Sequence, residues 1–411
     1  MASPGRHSGR IVVFLLTRVA AFIASPVPQA LLWSGLYLLR LVTRTLDRLS
    51  PPRSLYAGTP IIAMTVAARA EQHLGIRTDT LVWNTYFITD AFEYRLDRYV
   101  SRGPRVWRHG FAYLVLFWAC LRYKRFHFYY DRGILFPLEP RQFPEFELQL
   151  LRYLGKEVYF YAYGADVRTE MRTRALGEWN CCSECPSPGQ SCICSEAEGE
   201  KNYSRISRYA TATFSMGDMI EYTPGSRNDL FYWPIDLEAE KGLRYAPRYP
   251  DPNSTTPVQV VHAPNHRGFK GSQYLIAAVE QLQAEGLPVE LKLVERVPNR
   301  QALEIYRTAD IIFDQCLIGF HGYFALEAMA MGKPVMVFIR DPERYLIHPE
   351  ECPFVNSPKG EVESILRNLI QDRQRLHELG LQGRRYVERY FSLPAYASRL
   401  KRVYCDLRVA A

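Results

Sequence analysis

The sequence predicts an α/β protein of two doubly wound, Rossmann-like domains facing across a cleft, with an apolar helical extension at the N-terminus. Three observations carry this. The 411 residues exceed what one ordinary hydrophobic core organises. From Thr59 onward, short apolar or β-branched runs alternate with helical patterns, the mark of parallel sheets covered on both faces. Pro247, Pro250, Pro252 and Pro257 surround Asn253-Ser-Thr-Thr256, a stretch that continues neither a helix nor a central strand and so splits the alternation in two. The resulting division is an extension over 1–55, a first domain over 56–245, a linker over 246–257, a second domain over 258–390 and a closing segment over 391–411.

In the first domain Thr59–Met64, Leu81–Tyr86, Phe126–Tyr130 and Val158–Tyr163 read as strands, and Gly110–Arg122 as a buried helix rather than a membrane contact. In the second, strands Val258–Val261, Val289–Val294, Ile311–Phe313 and Val335–Phe338 alternate with helices Ser272–Glu285, Ala302–Thr308, Phe324–Ala330, Glu361–Asp372 and Arg373–Phe391.

Charge is concentrated at one end. Residues 1–60 hold seven arginines against one acid, Asp47, while the rest of the chain is nearly balanced. A basic stripe for nucleic acid is therefore not evident. The same N-terminus is apolar over Ile11–Ala24 and Ala30–Val42, but each run is too short to span a bilayer, and Ser25-Pro-Val-Pro28 separates them. Arg40, Arg44 and Arg48 recur on one helical face, with Leu38, Val42 and Leu49 on another. Docking on an anionic membrane surface and packing on the first domain both fit this pattern. A signal peptide fits less well, with an arginine inside the apolar run and no small-residue cleavage site. Nine cysteines, five of them between Cys181 and Cys194, do not form a secreted disulfide framework, so a cytoplasmic protein, peripheral on the inner face of the cell membrane if docked, is expected.

The most specific stretch is Ala309-Asp-Ile-Ile-Phe-Asp-Gln-Cys-Leu-Ile-Gly-Phe-His-Gly-Tyr-Phe-Ala-Leu-Glu-Ala-Met-Ala-Met-Gly-Lys-Pro-Val335. A glycine-bearing loop at a helix N-terminus offers free backbone N–H groups and a positive dipole end to a diphosphate. Gly322, Tyr323 and Phe324 would be those donors, and Glu327 can accept two hydroxyl hydrogen bonds. The stretch resembles glycosyltransferase family 4 and its relatives, which have the GT-B fold, and the resemblance covers residues 256–408. It implies that Glu327 grips the ribose of a nucleotide sugar. The family carries a second glutamate where this chain has Gly319, with His321 or Gln315 as possible substitutes.

His262-Ala-Pro-Asn-His-Arg-Gly-Phe-Lys-Gly271 resembles the family's Arg and Lys-Gly loop. Arg267 and Lys270 could stabilise a departing diphosphate without a catalytic metal. The spacing is shorter than the family's, leaving Asn265 or His266 as alternatives to Arg267; Gly268 lies in the same donor-binding loop. Earlier, Tyr161-Ala-Tyr-Gly-Ala-Asp-Val-Arg168 resembles the family's acceptor-side His-Gly-x-Asp loop, with Tyr163 in the histidine position and Asp166 and Arg168 expected at the cleft. The last helix, by resemblance, crosses back to the first domain.

Beyond that loop comes an insertion over 180–194. Its Cys182, Cys185, Cys192 and Cys194 have spacing that suits a structural tetrahedral zinc, with Cys181 spare. An iron–sulfur cluster, a disulfide pair or free thiols are the other readings. The whole resemblance implies a retaining transferase using a UDP- or GDP-linked sugar and a glycan, lipid-linked or protein acceptor. A sugar-nucleotide epimerase and a non-catalytic nucleotide-sugar-binding scaffold are the alternatives.

Overall fold

A computed structural model describes residues 26–86, 89–100, 105–136 and 142–409. The apolar run Ile11–Ala24 lies outside them. The chain begins with helix α1 (Pro26–Leu49) and then builds two parallel sheets. The first contains β1 (Arg53–Gly58), β2 (Arg77–Val82), β3 (Tyr94–Arg95), β4 (Arg125–Tyr129), β5 (Glu157–Tyr161) and β6 (Ala212–Phe214), in the order β3-β2-β1-β4-β5-β6. The connecting helices are α2 (Ile62–Gln72), α3 (Arg105–Arg122), α4 (Glu145–Leu154), α5 (Glu170–Ala175) and α6 (Glu196–Tyr209).

The second sheet has the order β11-β10-β9-β7-β8, from β7 (Val258–His262), β8 (Val289–Leu293), β9 (Ile311–Gly319), β10 (Val335–Ile339) and β11 (Val355–Asn356). Around it lie α7 (Arg267–Lys270), α8 (Ser272–Ala284), α9 (Asn299–Tyr306), α10 (Tyr323–Ala330), α11 (Val362–Gln371) and α12 (Arg373–Tyr390). Helix α13 (Leu393–Val409) leaves this domain and packs on α2 of the first. There the Tyr404 hydroxyl donates to the buried Glu71 carboxylate at 2.7 Å, and the Arg125 guanidinium lies 4.2 Å above the Tyr404 ring.

Strands β4 and β5 are buried on both faces, one apolar and the other carrying Arg125, His127, Tyr159 and Tyr161, because the sheet is covered on both sides. Phe126, Phe128, Val158 and Phe160 are almost completely buried, each contributing roughly 1.5–3 kcal/mol by removal of apolar surface from water.

Two expected elements are corrected. Thr59–Met64 is not a strand: the strand ends at Gly58, whose φ of +104° and close approach to the Arg132 carbonyl suit only glycine, and a helix starts at Ile62. Its alanine-rich sequence favours that helix, and the short apolar run alone does not separate the two periods. Gly110–Arg122 is helical but buried on one side only. Ala112, Val115, Leu116, Ala119 and Cys120 face the core, while Trp107, Leu114 and Leu121 are exposed.

Candidate functional site at the ends of the second sheet

In an open parallel sheet, ligands bind beyond the carboxyl ends of the strands where the winding reverses. In the second sheet that point lies between β7 and β9, since β8 follows on one side of β7 and β9 on the other. The loops leaving these two strands carry the residues singled out from the sequence.

The loop after β7 starts at His262, whose Nδ1 is 2.8 Å from the Phe313 carbonyl and whose Nε2 is 2.7 Å from the Ser272 hydroxyl. Burial holds this imidazole down to about 4, so it is neutral and serves to anchor the loop. The loop delivers Lys270, largely buried, with Nζ 2.5 Å from the Asp314 carboxylate. Asp314 also accepts the Gly322 N–H at 2.6 Å. Burial opposes ionisation of Asp314, but the Lys270 ammonium and the Gly322 N–H outweigh it and hold the carboxyl below its ordinary value. Lys270 thus meets the amino end of α10 through a resident carboxylate.

Glu327 is buried one turn into α10, accepting from Tyr245 Oη at 3.1 Å and Asn299 Nδ2 at 3.0 Å on the same oxygen, Oε1. Burial raises its pKa, with the two donors working against the shift. Tyr323 donates its hydroxyl to the Pro234 carbonyl at 2.8 Å. Arg267 is not gathered with Lys270: it lies exposed on Glu295 at 2.6 Å. Asn265 is exposed as well.

The two residues named as substitutes for a glutamate at position 319 are both buried. Gln315 is fully buried and spends its amide on the Phe320 and Phe338 carbonyls and the Leu317 and Ile318 N–H groups. His321 packs among Trp233, Phe320 and Phe354. Gly319 has a φ of +93°, and the space a side chain would enter holds the Arg340 guanidinium. Arg340 Nη2 donates to the Trp179 carbonyl at 3.1 Å, while its Nη1 is buried without a hydrogen-bond partner.

The Cys-rich insertion sits on the donor loop. A Cβ on Gly268 would lie 2.6 Å from the Glu184 carbonyl oxygen, Ser191 Oγ is 2.8 Å from His266 Nε2, and Glu184 accepts from Tyr274 at 2.6 Å and Lys359 at 2.9 Å. All nine cysteines carry free thiols. Among the described residues no three of Cys182, Cys185, Cys192 and Cys194 bring their sulfurs within 4.8 Å of one another; that spacing is met only by the exposed His348, Glu350 and Glu351. Hydrogen bonding from buried Cys181 holds the Cys182 thiol down to about 6.

The first sheet reverses between β1 and β4, and there the sequence reading missed Asp131. Its carboxylate accepts from the Thr59 hydroxyl at 2.5 Å and the Tyr163 hydroxyl at 3.2 Å, with Arg132 Nε at 3.1 Å. Burial raises its pKa. Asp166, expected at the cleft, is instead interior and accepts the backbone N–H groups of Tyr163, Gly164 and Tyr130 at 2.8, 2.9 and 3.2 Å. Arg168 is buried too, paired with Asp218 at 2.8 Å and lying 5.5 Å from the Phe269 ring of the donor loop. The signals for Asp131 and Asp314 were local: each is an acid at or inside a run that is otherwise apolar.

No protein-family model matches the chain, and no curated protein sequence does. Solved structures do. Sucrose-phosphate synthase from Thermosynechococcus elongatus aligns with a TM-score of 0.57 at 14% identity, covering 88% of this chain and 100% of that one. Anabaena HepE in complex with UDP-glucose aligns with a TM-score of 0.54 at 13% identity, covering 86% and 99%. The catalytic domain of starch synthase IV from Arabidopsis thaliana, bound to ADP and acarbose, aligns with a TM-score of 0.51 at 10% identity, covering 87% and 99%. At these identities the likeness defines the fold: two parallel-sheet α/β domains in the GT-B arrangement.

Proposed function

We propose that this chain is a glycosyltransferase that moves a sugar from a nucleotide-diphosphate donor, UDP- or GDP-linked, to a glycan, lipid-linked or protein acceptor with retained configuration. The observation that carries the reading is the meeting of Lys270 with the amino end of α10 at the reversal point of the second sheet. The first amide groups of a helix have no intrahelical partner, so those of Tyr323 and Phe324 are available to phosphate oxygens, and the Lys270 ammonium retains donors beyond the one on Asp314. Glu327 has Oε2 left to accept a ribose hydroxyl. HepE and starch synthase IV, whose solved structures hold UDP-glucose and ADP, are consistent with a donor nucleotide of this class.

On the opposite side, Asp131 with Thr59 and Tyr163 would orient an acceptor hydroxyl. Chemistry then rests on holding donor and acceptor together and stabilising the departing diphosphate. Titration calorimetry with UDP, GDP and ADP, followed by hydrolysis or transfer assays on the corresponding sugars, tests the proposal. A nucleotide that binds and never turns over would support a sugar-nucleotide-binding scaffold, a reading favoured by the resident Asp314 carboxylate. No binding to any of the three would refute both.

A further inference from the structure

We propose that the outer faces of α1 and α3 together form a docking surface for an anionic lipid bilayer. The inference does not depend on the transfer reaction. The inward side of helix α1 carries Leu36 and Leu39 together with three polar residues. Thr43 is fully buried, Arg40 lies 4.8 Å over the Tyr153 ring, and Asp47 accepts from Lys156 Nζ at 2.7 Å. With 3.6 residues per turn, the opposite side carries Leu38, Leu41, Val42 and Leu49, and these face solvent, Leu38 at 62% and Leu49 at 78% of full exposure. A helix on an aqueous surface normally keeps such an apolar stripe against the core.

Helix α3 adds a second outward stripe. Its inner side fills the core, and Trp107, Leu114, Trp118 and Leu121, spaced along the other side, are exposed, Leu114 at 60%. α1 packs against both α3 and α4, so the two helices that carry the stripes are in contact. Large apolar side chains grouped on the open sides of two touching helices mark an interaction surface more often than a free one.

Charge identifies the occupant. The two helices hold six arginines and one acid, and that acid, Asp47, is already neutralised by Lys156. Arg44, Arg48 and Arg108 are exposed beside the apolar stripes. Trp33 and Tyr37, also exposed, are side chains that settle at the headgroup level. No helix among the described residues is long and apolar enough to cross a membrane. An apolar face edged by arginine and aromatic rings, with no free acid on it, matches the boundary of a leaflet bearing negative headgroups.

The test uses the full chain and vesicles of phosphatidylcholine with or without phosphatidylglycerol. The protein is expected to sediment with the phosphatidylglycerol vesicles, to release as salt rises, and to stay in the supernatant with pure phosphatidylcholine. L114E/L121E and L38E/L41E should each lower the bound-to-free ratio at least about tenfold while leaving the thermal melt and circular dichroism unchanged. Absence of wild-type binding, or wild-type binding by both variants, would overturn the proposal. So would a lipid-free dimer that the same variants dissociate, since the face would then belong to a second copy.

Discussion

The Lys270 ammonium and the Asp314 carboxylate lie 2.5 Å apart, and the same carboxylate receives the Gly322 N–H at 2.6 Å. One acid inside β9 thereby ties the loop after β7 to the start of α10, the two pieces assigned to the donor diphosphate. Replacing it by Asn leaves a buried ammonium without its counter-charge, which costs about 3–5 kcal/mol. The pH dependence follows from a folded-state pKa below the ordinary 3.8. The contribution is complete above the unfolded value and fades as pH falls through the folded one. Asp314→Asn should therefore be less stable than wild type by a constant margin from pH 8 to about 5, narrowing below about pH 4. Denaturant titrations across that range measure the margin, and a margin already shrinking between pH 7 and 5 would contradict it.

Glu327→Gln keeps the shape of the side chain buried near Tyr245 and Asn299 but removes its charge. Loss of a charged acceptor should weaken nucleotide binding by about 1.5–3 kcal/mol with a small change in melting temperature. Calorimetry against the tightest of UDP, GDP and ADP provides the comparison. Equal affinity would remove Glu327 from the donor site.

Introducing a glutamate at position 319 should be costly. The backbone there has a φ of +93° and the Arg340 guanidinium occupies the side-chain space. Gly319→Glu is expected to destabilise the fold by about 1–3 kcal/mol through the left-handed backbone alone, and to lower activity rather than raise it. A variant as stable as wild type would contradict both the backbone strain and the obstruction by Arg340.

Asp131→Asn should separate the two sides of the cleft. Nucleotide affinity should stay within about 0.5 kcal/mol of wild type, since the residue lies on the other sheet, while transfer to acceptor falls by about a hundredfold or more. Parallel loss of donor affinity would place Asp131 elsewhere in the mechanism.

A zinc on Cys182, Cys185, Cys192 and Cys194 requires their sulfurs to close in from the spacing seen here; if they do, protein prepared without chelator holds about one zinc per chain, with Cys181→Ser retaining it and Cys185→Ser losing it. Because the insertion rests on the donor loop at Gly268 and His266, loss of the metal should reduce nucleotide affinity first. Absence of zinc and iron by elemental analysis would refute the metal and leave the loop held by its hydrogen bonds to His266, Tyr274 and Lys359 and to the backbone of Ala165, Arg168 and Glu170.

The sequence by itself determined the doubly wound character of both halves, because apolar period and punctuation are local properties that any neighbour must respect. It also determined the stretch from Ala309 to Val335, where a buried strand, a glycine loop and a helix start follow one another without a gap. Tertiary structure alone decided which polar atoms meet. Asp314 and Lys270 are 44 residues apart in sequence, Glu327 and Tyr245 are 82 apart, and Asp131 finds Thr59 across 72. Their pairing depends on how strands and the segments around them pack together, which joins distant stretches and leaves no periodic trace in either. For the same reason Asp166 was legible as part of a turn but not as its interior anchor, and Arg340 could not be read as the occupant of the space beside Gly319 until β10 was laid against β9.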